Sequence, residues 1–109
     1  MPISINISND FSRTPGGRSI GEGSFSGEKF RKELLKPKFE QAKITNDILI
    51  VDLDGGYGYA TSFLEEAFGG LARDTKDDDV MKIIIHSAEE PALIDKIAEY
   101  MRDALKEKK

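Results

Sequence analysis

The chain contains no cysteine, which excludes disulfides and thiolate-held metals. It has a single histidine, His86, at the carboxyl end of an apolar run, where it reads as a structural residue satisfied by a neighbour rather than as a metal ligand. No apolar run approaches the roughly 20 residues that cross a bilayer. The start, MPISINISND, lacks the basic and apolar regions of a signal peptide, so the expected compartment is cytoplasmic, with no membrane partner. Basic residues are scattered in a chain of net charge −4 and pI near 5.0, and phosphate binding needs a clustered basic face, so nucleic acid is not an expected partner. Neither G-x-x-x-x-G-K-S/T nor a strand-linked G-x-G-x-x-G occurs, which leaves no recognisable nucleotide cradle. No internal repeat is visible.

What is present describes one globular domain. At 109 residues, 39% hydrophobic and 33% charged, the sequence supports a single core over 1–109.

The most informative stretch runs from Ile48 to Leu71. Ile48, Leu49, Ile50 and Val51 read as a central strand buried on both faces. Asp52, Asp54, Gly55, Gly56 and Gly58 follow as a loop. A helix starting near Ser62 then buries Phe63, Leu64, Ala67, Phe68 and Leu71, with Ser62 and Glu65 as an S-x-x-E capping box. Gly69-Gly70 lies inside that pattern at a cost of roughly 1 kcal/mol per glycine, which a close approach by a neighbour would offset.

Elsewhere, Ile3, Ile5 and Ile7 alternate with polar residues as an edge strand. The stretch from Asn9 to Gly27 reads as a long loop with room for a short hairpin strand around Ser19 to Gly21. Ser26 caps a helix over about Gly27 to Lys36, with a break and a short restart at Pro37. Met81 and Ile83 to Ile85 form a third strand, and Ser87 with Glu90 opens a last amphipathic helix carrying Ile97, Met101 and Ala104. Alternation of strands and helices predicts an α/β fold, a small, mainly parallel sheet with an N-terminal edge strand and three main helices.

Three groups of residues bear on chemistry. Asp52-x-Asp54 after a hydrophobic strand resembles haloacid-dehalogenase-type phosphotransferases, in which the first Asp is a nucleophile and the second a general acid beside magnesium. The plainer reading is a pair of strand-ending acids that hold the turn. Arg18 is a candidate contact for an acidic or phosphorylated group, and equally a tether to a nearby carboxylate. Thr61 and Ser62 sit where a strand gives way to a helix, the crevice side of an α/β sheet.

The blocks Pro15-Gly16-Gly17-Arg18, Ser26-Gly27-Glu28-x-Phe30-Arg31 and Thr61-Ser62-Phe63-Leu64-Glu65-Glu66-Ala67-Phe68-Gly69-Gly70-Leu71 resemble the bacterial STAS-like domains, relatives of anti-sigma factor antagonists. The resemblance implies a STAS-like fold and a non-enzymatic regulatory module that needs no cofactor. It also implies a protein partner of the histidine-kinase-like ATPase fold and phosphorylation at Thr61, with Ser62 second. Its partner-binding surface would include Arg18, Asp54, Tyr57, Tyr59, Phe63 and Glu66. Two alternatives stand beside it: a magnesium-dependent phosphohydrolase using Asp52 and Asp54, and a purely structural oligomerisation domain, which mass in solution would reveal.

Overall fold

The computed structural model describes residues 2–13, 15, 26–56 and 58–106. Arg18, Tyr57 and the hairpin strand expected around Ser19 to Gly21 lie outside them. The order is β1 (Ile3–Asn6), α1 (Ile7–Asp10), α2 (27–45), β2 (Leu49–Asp52), α3 (61–75), a 3-10 turn (Asp78–Lys82), β3 (Ile84–His86) and α4 (Ala92–Lys106). The three strands form one parallel sheet in the order β1-β2-β3, so β2 is central and β1 an edge. This is the α/β architecture that the sequence predicts, with α2, α3 and α4 as its main helices. No helix among the described residues is long and apolar enough to cross a membrane.

Only one face of the sheet is fully buried, a correction to the expectation for β2. Ile5, Leu49, Val51 and Ile85 point into the core with Phe30, Phe63, Phe68, Leu71, Ile97 and Met101, all at most 9% exposed. On the other face the register sets Ser4, Ile50 and Ile84 in one row, and Ile84 is 47% exposed. An unbroken apolar run does not require burial on both sides, because folded surfaces keep much apolar area in water.

Helix α2 does not break at Pro37. It runs as α over Gly27–Phe30, widens into a π turn over Arg31–Leu35 and continues as α over Lys36–Thr45. The Lys36 N–H bonds back to the Arg31 carbonyl, five residues earlier, so the ladder has already shifted by one residue where proline removes a donor. The helix ends at Asn46 in the left-handed region (φ 57°), with the Asp47 N–H returned to the Ala42 carbonyl at 2.8 Å.

Three smaller boundaries also differ. The strand pattern stops at Asn6, whose side chain accepts from the Asn9 N–H and caps α1. Met81 lies in the 3-10 turn rather than in β3, because the Asp77 side chain caps that turn and Val80 anchors it in the core. Residues 77–79, an acidic run that charge alone reads as a solvated loop, are tied to α2: Lys43 pairs with Asp77, and with Asp79 at 3.1 Å. Finally, the Ser87 hydroxyl accepts from the Glu90 N–H at 3.0 Å as the capping pattern predicts, but the helix it leads into begins only at Ala92.

Helices α2 and α3 meet at Gly27. A Cβ there would lie 2.5 Å from the Phe63 carbonyl and 3.2 Å from the Ala67 nitrogen, both backbone atoms that cannot swing aside. Gly27→Ala is therefore expected to lower the unfolding free energy by about 1–3 kcal/mol in urea denaturation. A neutral result would mean that the two helices sit further apart than described.

Candidate functional site

The carboxyl edge of the sheet gathers the chemistry-bearing residues. Parallel register places Asn6, Asp52 and His86 side by side across β1, β2 and β3, although they are far apart in sequence. Past β2 the chain turns through Gly55 (φ 98°), where a Cβ would meet the Ser8 hydroxyl at 2.6 Å. That closeness serves a seam: the Ser8 hydroxyl lies 3.1 Å from the Asp54 carbonyl, and the Asn6 amide donates to the same oxygen at 3.3 Å.

Asp54 holds the β3–α4 connection to this loop. Its carboxylate accepts from the Ala88 N–H at 2.9 Å and the Glu89 N–H at 3.0 Å, and Gly55 donates back to Glu89 at 3.0 Å. These backbone donors hold its carboxyl below the usual carboxylate range, with His86 and Ser87 adding to the effect. Asp52 accepts from the Asp54 N–H at 3.0 Å. Asp52 therefore holds the turn, as the plainer sequence reading expects of both acids, while the Asp54 carboxylate reaches across to the β3–α4 connection. Tyr59 packs half-buried over Phe63 and donates to the Leu53 carbonyl at 2.7 Å. Burial, together with Asp52, Asp54 and Glu89, pushes its hydroxyl up to about 12.

Thr61 is the first residue of α3 and is exposed, whereas Ser62 is half-buried. Ser62 is not the cap: Ala60 occupies that position, and no side chain closes the first turn. The S-x-x-E pattern fails because the helix starts two residues earlier than a Ser62 cap would need, and because Glu65 is committed to Arg73 at 2.7 Å. Glu66 is likewise turned inward, to Arg31 at 2.6 Å.

The residues expected at a partner surface thus separate. Tyr59 and Asp54 border the Thr61 loop, but Phe63 is fully buried against Phe11, Phe30 and Tyr59 and belongs to the core. Glu66 belongs to an internal ion pair with Arg31, which also meets Asp74 at 3.0 Å. Helical spacing already places Phe63 with Leu64, Ala67, Phe68 and Leu71 on the buried face, and the structure bears out that reading rather than the one from resemblance. The buried Arg31, only 6% exposed, had no signal in the sequence beyond its place in a resembling block.

Two of those blocks meet in space. Gly27 seats against the Phe63 carbonyl, Phe30 packs on Phe63 and Phe68, and Arg31 lies against Gly70. The family profile described as STAS-like domain of unknown function (DUF4325) matches residues 26–92, more than half of the chain and the whole of this junction. The chain belongs to this STAS-like family. No curated protein and no solved structure matches it. The family's matched segment begins at the Ser26 cap, whose hydroxyl accepts from the Lys29 N–H at 3.1 Å, and ends as α4 begins. In this STAS-like domain it therefore covers the α2–α3 pair, β2, β3 and the loop that leads to Thr61.

Proposed function

We propose that this STAS-like domain is a non-enzymatic regulatory module that docks a protein partner at the carboxyl edge of its sheet and is switched by phosphorylation of Thr61. The observation that carries the reading is the exposure of Thr61 at the first turn of α3, on a loop stitched by Asn6, Ser8, Asp54 and Glu89. The first turn of α3 presents the hydroxyl to solvent, and the neighbouring Glu65 and Glu66, which would repel a phosphate, are engaged by Arg73 and Arg31. Half-burial of Ser62 makes it the poorer acceptor. By family resemblance the partner is a kinase of the histidine-kinase-like ATPase fold, which would bind the neutral hydroxyl and release the dianion it creates. No cofactor enters this reading.

Affinity purification from source cells, with mass analysis of the Thr61 peptide, tests it. An ATPase-fold kinase should co-purify, with part of that peptide phosphorylated. Thr61→Glu is expected to weaken binding at least about tenfold by charge repulsion and desolvation at the contact. Thr61→Ala should bind but accept no phosphate. Unchanged affinity of the Thr61→Glu variant would sink the switch, and recovery of no such kinase would sink the docking reading.

A further inference from the structure

We propose that Asp52, Asp54 and His86 form a binding site for a divalent transition-metal ion of the zinc class at the carboxyl edge of the sheet. The proposal rests on the register and the donor geometry and does not depend on the docking reading. Pairing of Asp52 with His86 across β2 and β3 brings a nitrogen donor beside a carboxylate that is 34 positions away in the chain, and Asp54 joins them from the following turn. One ligand atom from each lies within 4.8 Å of the others.

One pair has the spacing of two ligands on one ion. His86 Nε2 stands 3.3 Å from Asp54 Oδ2, an ion pair when the imidazole is protonated and a pair of donor atoms when it is neutral. Two donors at bond lengths of about 2.0–2.1 Å on a tetrahedral ion stand about 3.3–3.4 Å apart. Asp54 is fixed from behind by the Ala88 and Glu89 N–H groups, the outer support that orients a metal-bound carboxylate. Asp52 makes no ion pair among the described residues; one of its oxygens accepts from the Asp54 N–H at 3.0 Å, and a carboxylate has a second oxygen to offer an ion.

The donor set selects the ion. Imidazole suits zinc and its transition-metal neighbours, whereas magnesium and calcium prefer all-oxygen shells. His86 is 57% exposed at its side chain, so the remaining coordination position faces solvent and is open to water or to a group from outside the chain. The site's residues also explain why the sequence hides it. A lone histidine carries no ligand spacing, and only the strand register supplies the neighbours.

Zinc titration of the full chain, prepared without added histidines, tests the site. Because His86 is the single histidine, its imidazole resonances report binding without ambiguity. One equivalent of zinc should shift them, and calorimetry should give one site per chain. His86→Ala and Asp52→Asn should each weaken zinc binding at least about tenfold, with circular dichroism showing the fold retained. Magnesium at the same concentrations should leave the imidazole unchanged. Imidazole signals indifferent to zinc, equal zinc affinity in both variants, or a magnesium response equal to that of zinc would each overturn the assignment.

Discussion

Replacing Arg31 by alanine is expected to lower the unfolding free energy by about 3–5 kcal/mol, as for other buried charges deprived of one partner. Arg31 is 6% exposed, and its guanidinium reaches three acceptors on α3: the Glu66 carboxylate and carbonyl, each at 2.6 Å, and Asp74 at 3.0 Å. Its removal leaves Glu66, at 19% exposure, with a carboxylate facing the α2–α3 junction and opens a cavity where the side chain lay. Domains of this size hold about 5–15 kcal/mol in total, so the variant should sit near the edge of folding in urea or thermal denaturation. A loss under about 1 kcal/mol, the scale of an exposed ion pair, would show that the network is a surface feature.

A second substitution separates the charge from its fit. Gly70 faces Arg31 so closely that a Cβ would collide with Nη1 and stand 2.9 Å from Cζ. An isolated guanidinium could swing away, but this one is held by Glu66 and Asp74, so Gly70→Ala destabilises the parent chain. In an Arg31→Ala background the obstacle is gone, and alanine should instead stabilise the helix by up to about 1 kcal/mol through its higher propensity. The sign of the Gly70→Ala effect should therefore reverse between the two backgrounds, a non-additivity that urea midpoints of the four proteins measure directly. The same sign in both would mean that Gly70 serves backbone geometry of the π turn over Glu65–Gly69 and not space for Arg31.

This junction also marks the boundary between what the sequence discloses and what it conceals. Periodicity was enough for β1, for the central strand and for α4, because Ile5, Val51 and Ile97 bury by patterns that local spacing carries. Gly69-Gly70 was legible as a close approach, but not what approaches: the partner is a side chain 39 residues upstream of Gly70, and no local rule names it. Pro37 misled because its missing donor can be absorbed by one wide turn as well as by a break, and the π turn leaves no mark in residue type. Ser62 misled by two residues, since a capping pattern fixes a helix start only to within the uncertainty of the start itself. At the candidate site, Thr61 was legible from its place after a strand. The residues that gather at Asp52, Asp54 and Gly55, namely Asn6, Ser8, Glu89 and His86, come from distant parts of the chain and meet there only through the folding of the sheet.

Phe63→Ala is expected to cost about 3–5 kcal/mol, a loss of the same order as Arg31→Ala. Its ring is fully buried and stands 5.8 Å from Phe30, 6.1 Å from Phe11 and 6.1 Å from Tyr59, so truncation empties the centre of an aromatic cluster that joins α2, α3 and the loop before α3. The consequence reaches the docking surface, because Tyr59 rests on this ring and holds the Leu53 carbonyl from above. A partner assay alone would then show lost binding and invite the conclusion that Phe63 is a contact. Denaturation separates the two causes. Phe63→Leu keeps most of the apolar volume and should retain both the folded state and partner affinity, whereas Phe63→Ala should lose affinity only in step with its folded fraction. Thr61→Glu should behave in the opposite way, with an unchanged urea midpoint and weakened binding. A Phe63→Leu chain that is fully folded yet fails to bind would return Phe63 to the interface and require α3 to turn its buried face outward when the partner docks.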